Sequence, residues 1–161
     1  MKRVFLMLMT VIVCSLSAWS QSSMIVELGT EVIENNSFSS AYENFRKHGM
    51  PLHEMPSGKY GYMSERPLLM AVLDETGSEV NEVDFLCGAA MWWGIDSNLE
   101  ESGYTLTKEG STTIGNGASV LQKTYSKGNI LCLVQTLDND MKQVIFKHKP
   151  TQPQKKTMQK R

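Results

Sequence analysis

Residues 120–148 read VLQKTYSKGNILCLVQTLDNDMKQVIFKH. Three runs rich in Val, Ile, Leu, Thr, Tyr and Phe are cut apart by Lys127-Gly128-Asn129 and by Leu137-Asp138-Asn139-Asp140. Runs this short, bounded by residues that accept tight turns, predict strands over Val120–Tyr125, Ile130–Thr136 and Met141–His148. Consecutive strands joined so tightly must run antiparallel. The second half of the chain therefore points to an antiparallel sheet.

Working upstream, Gly110–Gly117 is a Gly-, Thr- and Asn-rich loop, and Tyr104–Lys108 suits a strand. Met91–Ser102 reads as a helix with Trp92, Ile95 and Leu99 on one face, stopped by Gly103. The same order precedes it. Phe38, Ala41, Tyr42 and Phe45 form one helical stripe over Phe38–His48, with Ser40 and Glu43 spaced as a capping box. Gly49 supplies a left-handed stop and Pro51 blocks continuation. Lys59–Ser64 alternates. Leu68–Leu73 is wholly apolar, as in a central strand covered on both faces. Asp74–Ser78 is a turn, and Val80–Cys87 carries Val83, Phe85 and Cys87 in phase. Residues 21–36 are ambiguous: Ile25, Leu28 and Val32 share a helical face, but Gly29 weakens it and Asn35-Asn36 end it.

The halves can be laid on one another. At a shift of 54, Asn44 meets Asn98, Phe45 meets Leu99 and Gly49 meets Gly103. At a shift of 61, Leu69 meets Ile130, Val83 meets Val144 and Phe85 meets Phe146, and the Gly110–Gly117 loop absorbs the difference. This predicts an α+β fold: one antiparallel sheet with helices packed on one face, built from two duplicated α-β-β-β units at 38–87 and 91–148. That order of elements resembles the exported tandem α+β repeat domains of the beta-lactamase inhibitor protein type. The likeness covers most of residues 38–148 and rests on element order; no diagnostic motif of that family is present. It implies protein binding on the helix-free face, and no inhibitor residue carries over.

The first residues add a compartment. Met1-Lys2-Arg3 is a basic start, Val4–Leu16 an apolar run too short to span a bilayer, and Ala18 and Ser20 are small residues two apart. Residues 1–20 are thus expected to be a signal peptide, 21–149 a single exported domain, periplasmic or secreted and bacterial in character, and 150–161 a disordered basic tail. The chain carries a net charge of −1, unevenly spread. Residues 21–149 hold 10 basic and 17 acidic side chains, whereas the tail holds Lys155, Lys156, Lys160 and Arg161. An acidic body excludes nucleic acid as the expected partner. No transmembrane span is expected once the leader is removed.

Few side chains suggest chemistry. Cys87 and Cys132 are either a disulfide, as an oxidising compartment allows, or two buried thiols. Cys87, followed by Gly88 and an expected helix, is the candidate nucleophile of a thiol-dependent hydrolase, with His48, His53 or His148 as base. No known nucleophile signature surrounds it. His53-Glu54 lacks the second His that a helical zinc motif needs, and Pro56 forbids the helix, so neither metal nor cofactor is expected. Tyr60, Tyr62 and Tyr104, with Trp93, are candidate contact residues, because Tyr and Trp bury area and keep a polar tip. The same residues suit strands and cores for packing alone. The function expected from these features is non-enzymatic binding of an envelope or extracellular protein through the exposed sheet face.

Overall fold

The computed structural model describes residues 21–54, 62–66, 69–76, 79–88, 94–115, 117–137 and 141–150, with the backbone alone for 62–66 and 69–76. The expected leader (1–20), nearly all of the expected tail, Tyr60, Trp92 and Trp93 lie outside these residues.

Among the described residues, three helices and eight strands make an α+β fold with one antiparallel sheet. Helix α1 occupies residues 21–35. Helix α2 is Phe38–Lys47 and α3 is Ile95–Glu101. The strands are β1 (His53–Glu54), β2 (Tyr62–Arg66), β3 (Leu69–Thr76), β4 (Glu79–Cys87), β5 (Thr105–Thr113), β6 (Ser119–Lys127), β7 (Ile130–Thr136) and β8 (Lys142–His148). Their order across the sheet is β1-β2-β3-β4-β8-β7-β6-β5. Each half is a four-stranded meander, and the last strands of the two meanders join them.

The ladder registers of the halves coincide. Leu69 pairs with Cys87 and Ile130 with His148; Asp74 pairs with Glu82 and Gln135 with Gln143. Each of these residues finds its counterpart 61 positions on. The β2·β3 and β6·β7 ladders follow the same shift, Arg66·Leu69 answering to Lys127·Ile130. The helix ends repeat at 54: Met50 N donates to Phe45 O, and Tyr104 N to Leu99 O. Gly49 (φ 66°) and Gly103 (φ 86°) supply the left-handed step at both ends. The β-bulge between Leu106 and Lys108 takes up one residue of the offset, and the longer β5–β6 hairpin takes up the other six.

Several local expectations change. Each half has four strands, the short β1 being the addition to the first. Ser111, Thr112 and Thr113 continue β5, pairing with Leu121, Val120 and Ser119, where a loop was expected; these β-branched and hydroxyl side chains suit an exposed edge. Helix α3 starts at Ile95, after Gly94 in a left-handed conformation (φ 91°). Ser37 is the N-cap of α2, and Glu43 pairs with Arg46 at 2.7 Å, so Ser40 and Glu43 form no capping box.

All three helices cover one side of the sheet. Phe45 of α2 stacks on Phe85 of β4, Phe85 meets Phe146 of β8 edge-on, and Phe146 meets Tyr104 in the same way. These four rings tie both halves into one core, and each of the three pairs adds about 0.5–1.5 kcal/mol beyond area burial. Helix α1 lies over the second half: Thr30 Oγ1 is 2.9 Å from the Tyr104 hydroxyl, and Asn98 of α3 donates to Ser22 at 2.7 Å.

Candidate functional site

The side of the sheet away from the helices carries Glu82, Asp84 and Leu86 of β4 and the odd-numbered residues of β7 and β8. The ladders lay them out in three rows. Glu82, Lys147 and Leu131 form one; Asp84, Ile145, Leu133 and Thr124 the next; Leu86, Gln143, Gln135 and Gln122 the third. Lys147 reaches Glu82 at 3.2 Å, and Gln135 donates to Gln122 at 2.8 Å. Gln143 donates to one oxygen of Asp84. Leu131, Leu133 and Leu86 stand half-buried between these polar pairs.

Asp84 is the electrostatic centre of this face. Burial pushes its carboxyl up to about 6, with Glu82 adding to the rise and the Gln143 hydrogen bond and Lys147 opposing it. Its Oδ1 is buried without a hydrogen bond.

A second polar cluster lies on the helix side. Asp96 of α3 accepts from Lys123 Nζ at 2.7 Å and from the Tyr125 hydroxyl at 2.8 Å. Burial works to raise the Asp96 carboxyl, but the bonds from Lys123 and Tyr125 outweigh it and hold it below the usual range. Burial and the Asp96 carboxylate together drive the Tyr125 hydroxyl upward, so it keeps its proton. A phenol held protonated and almost fully buried is an anchor of α3 on β6, not an acid–base pair.

Among the described residues, those singled out from sequence are not gathered into one place. Tyr104 is 3 % exposed, within the core between α1 and the sheet, and does not face solvent. Burial raises its hydroxyl to about 12. Tyr62 sits in β2 opposite Leu73, with Glu54 on its other side. Cys87 and Cys132 are both free and buried. Cys132 pairs with Phe146, which pairs with Val83, four residues from Cys87 and two strands away. That separation is roughly 10 Å across the sheet and 13 Å along it, well beyond the ~7 Å a disulfide tolerates. Burial pushes the Cys87 thiol up to about 12, and its Sγ lies 3.4 Å from the Lys142 carbonyl. A nucleophilic cysteine needs the opposite shift and an open approach. His148 Nδ1 lies 3.4 Å from Asn129, and His53 is exposed on β1.

Among the described residues no group of three or more His, Cys, Asp or Glu is placed to hold a metal ion. No helix among them is long and apolar enough to cross a membrane. No protein-family model matches the chain, and neither a curated protein nor a solved structure is found to match it.

Asp84 and Gln143 were not singled out from sequence. The signal was present: with Val83 and Phe85 turned to the core, alternation places Asp84 on the other face.

Proposed function

We propose that this chain is an exported, non-enzymatic binding domain that engages a protein of the envelope or extracellular space through the helix-free face of its sheet. The observation that carries this reading is the array on β4, β8, β7 and β6. Glu82–Lys147, Asp84–Gln143 and Gln135–Gln122 are preset by their own hydrogen bonds, and Leu131 and Leu133 stand between them. Preset side chains lose little freedom when a partner arrives, which favours binding. The buried thiols and the protonated Tyr125 favour no chemistry on the opposite side.

The test is a crosslinking capture from the native cell envelope with three baits: residues 21–161, a version ending at Lys149, and a folded Leu131→Arg/Leu133→Arg variant. One dominant protein caught by the first two and lost with the third is the expected result. Capture unaffected by the leucine substitutions removes the face from the proposal. Capture only by the full chain moves binding into the basic tail.

A further inference from the structure

Strands β4 and β8 meet about a local two-fold axis. Their ladder is centred on Asp84·Ile145 and flanked by Val83·Phe146 and Phe85·Val144. Val83 and Val144 are counterparts at the shift of 61, as are Phe85 and Phe146, so the two flanking pairs are the same pair turned around. At these two positions the core side chains therefore do not distinguish β4 from β8; the third core residue of β4, Cys87, is answered by the half-buried His148. In a second copy of the chain, β4 could pair with β4 by setting Val83 against Phe85, and β8 with β8 by setting Val144 against Phe146. Helix α1 discriminates little better. Its seats Asn98 and Phe146 have counterparts in Asn44 and Phe85, whereas the Tyr104 hydroxyl, bonded to Thr30, is answered by an apolar residue, Met50. A chain with two such interchangeable halves is exposed to exchange, in which two copies join like with like.

The helix-free side of the same ladder breaks the equivalence. The counterpart of Asp84 is Ile145, and that of Glu82 is Gln143. We propose that Asp84 is the residue that keeps each half paired with the other half of its own chain, by making the β4·β4 pairing of a second copy unfavourable. In that pairing Asp84 would stand directly opposite Asp84 of the other copy, and Glu82 would face Leu86 and lose Lys147. Like charges directly opposed across a strand pair are destabilising. Here they would meet at a half-buried position where one carboxylate oxygen has no donor and no access to water. The β8·β8 pairing, centred on Ile145, carries no such penalty. A like-with-like dimer needs one joint of each kind, so one aspartate suffices. This assigns a role to a desolvated carboxylate whose position the core does not require: it selects the partner strand, as unfavourable contacts elsewhere select against wrong assemblies.

The experiment compares the full chain with Asp84→Ile and with the exchanged pair Asp84→Ile/Ile145→Asp. Each is refolded at high concentration and weighed by light scattering after size separation. The wild type is expected to be monomeric, and Asp84→Ile to hold about tenfold more dimer. The exchanged pair moves the carboxylate to the other half and is expected to restore the monomer. A further chain, Asp84→Ile/Ile145→Cys, made with Cys87→Ala and Cys132→Ala, is expected to form an interchain disulfide at position 145. A folded Asp84→Ile chain as monomeric as the wild type overturns the proposal. So does an exchanged pair that dimerises as readily as Asp84→Ile, or dimers that form no disulfide at position 145.

Discussion

Gly29 of α1 lies against the ring of Phe146 of β8, so closely that a Cβ at position 29 would overlap three of the ring carbons. A glycine in mid-helix costs about 1 kcal/mol relative to alanine, and here close packing explains it. Gly29→Ala gains that propensity but forces the ring of Phe146, and with it Tyr104 and Phe85, out of place. Overpacking typically costs about 1–3 kcal/mol, so the net expectation is a loss. Urea unfolding should show a lower midpoint with an unchanged slope, and Phe146→Leu in the same chain should recover part of it.

Asp84 makes stability fall as pH rises. Its folded carboxyl titrates near 6 against an ordinary value of 3.8, so between those values the folded chain holds a proton that the unfolded chain has lost. Stability falls through that window and is flat above it. The full shift corresponds to roughly 3 kcal/mol at neutral pH, less whatever solvent screening remains at this partly exposed group. Asp84→Asn should flatten this part of the profile and be the more stable chain at pH 7. Denaturant midpoints of both proteins from pH 4 to 7 check the sign.

Asp96 acts in the other direction. Asp96→Ala leaves the Tyr125 hydroxyl buried without an acceptor, which costs about 1–3 kcal/mol, and it frees Lys123. Because the folded Asp96 carboxyl lies below its ordinary value of 3.8, its contribution is present above that value and fades as pH falls below it. The gap between wild type and Asp96→Ala in thermal midpoint should therefore be wide at neutral pH and narrow on acidification. Tyr125→Phe together with Asp96→Ala should cost less than the sum of the two, since neither leaves the other unpaired.

The two thiols should be inert in the folded protein. Both are buried, and burial raises both above the ordinary thiol value. A thiol reagent at pH 8 is expected to modify neither on the timescale of seconds to minutes, and to modify both at once in denaturant. Rapid labelling of Cys87 in the native chain would revive a thiol-based activity.

The strands were legible wherever alternation met a turn. Val83, Phe85 and Cys87 in phase place β4, and the apolar runs on either side of Lys127-Gly128-Asn129 and of the 137–140 segment place β6, β7 and β8. The repeat of Gly49 at Gly103 was also visible, because a helix stop depends on one residue. Helix α1 was obscured by Gly29, whose cost to a lone helix is real and whose reason lies 117 residues away on Phe146. The β5 edge read as a loop because Gly110 and its hydroxyl neighbours suit both states, and pairing with β6 decides between them. Tyr104 looked like a surface tyrosine because sequence shows the ring but not Thr30 above it. The choice between a disulfide and two buried thiols stays open in the sequence for a similar reason: spacing along the chain does not reveal that β8 passes between β4 and β7.

The last of the described strands in sequence is one of the two at the middle of the sheet. Strand β8 lies between β4 and β7, and the contacts that lock α1 span 74 and 76 residues. Contacts this distant in sequence are slow to form, because the chain must close long loops first. A growing chain therefore exposes α1 and the free edge of β4 until Lys142–His148 arrives. During that interval its apolar surfaces are open to aggregation and to chaperones. Shortening the chain before Lys142 should arrest it in that state, whereas losing residues after Lys149 should leave the rate of maturation unchanged.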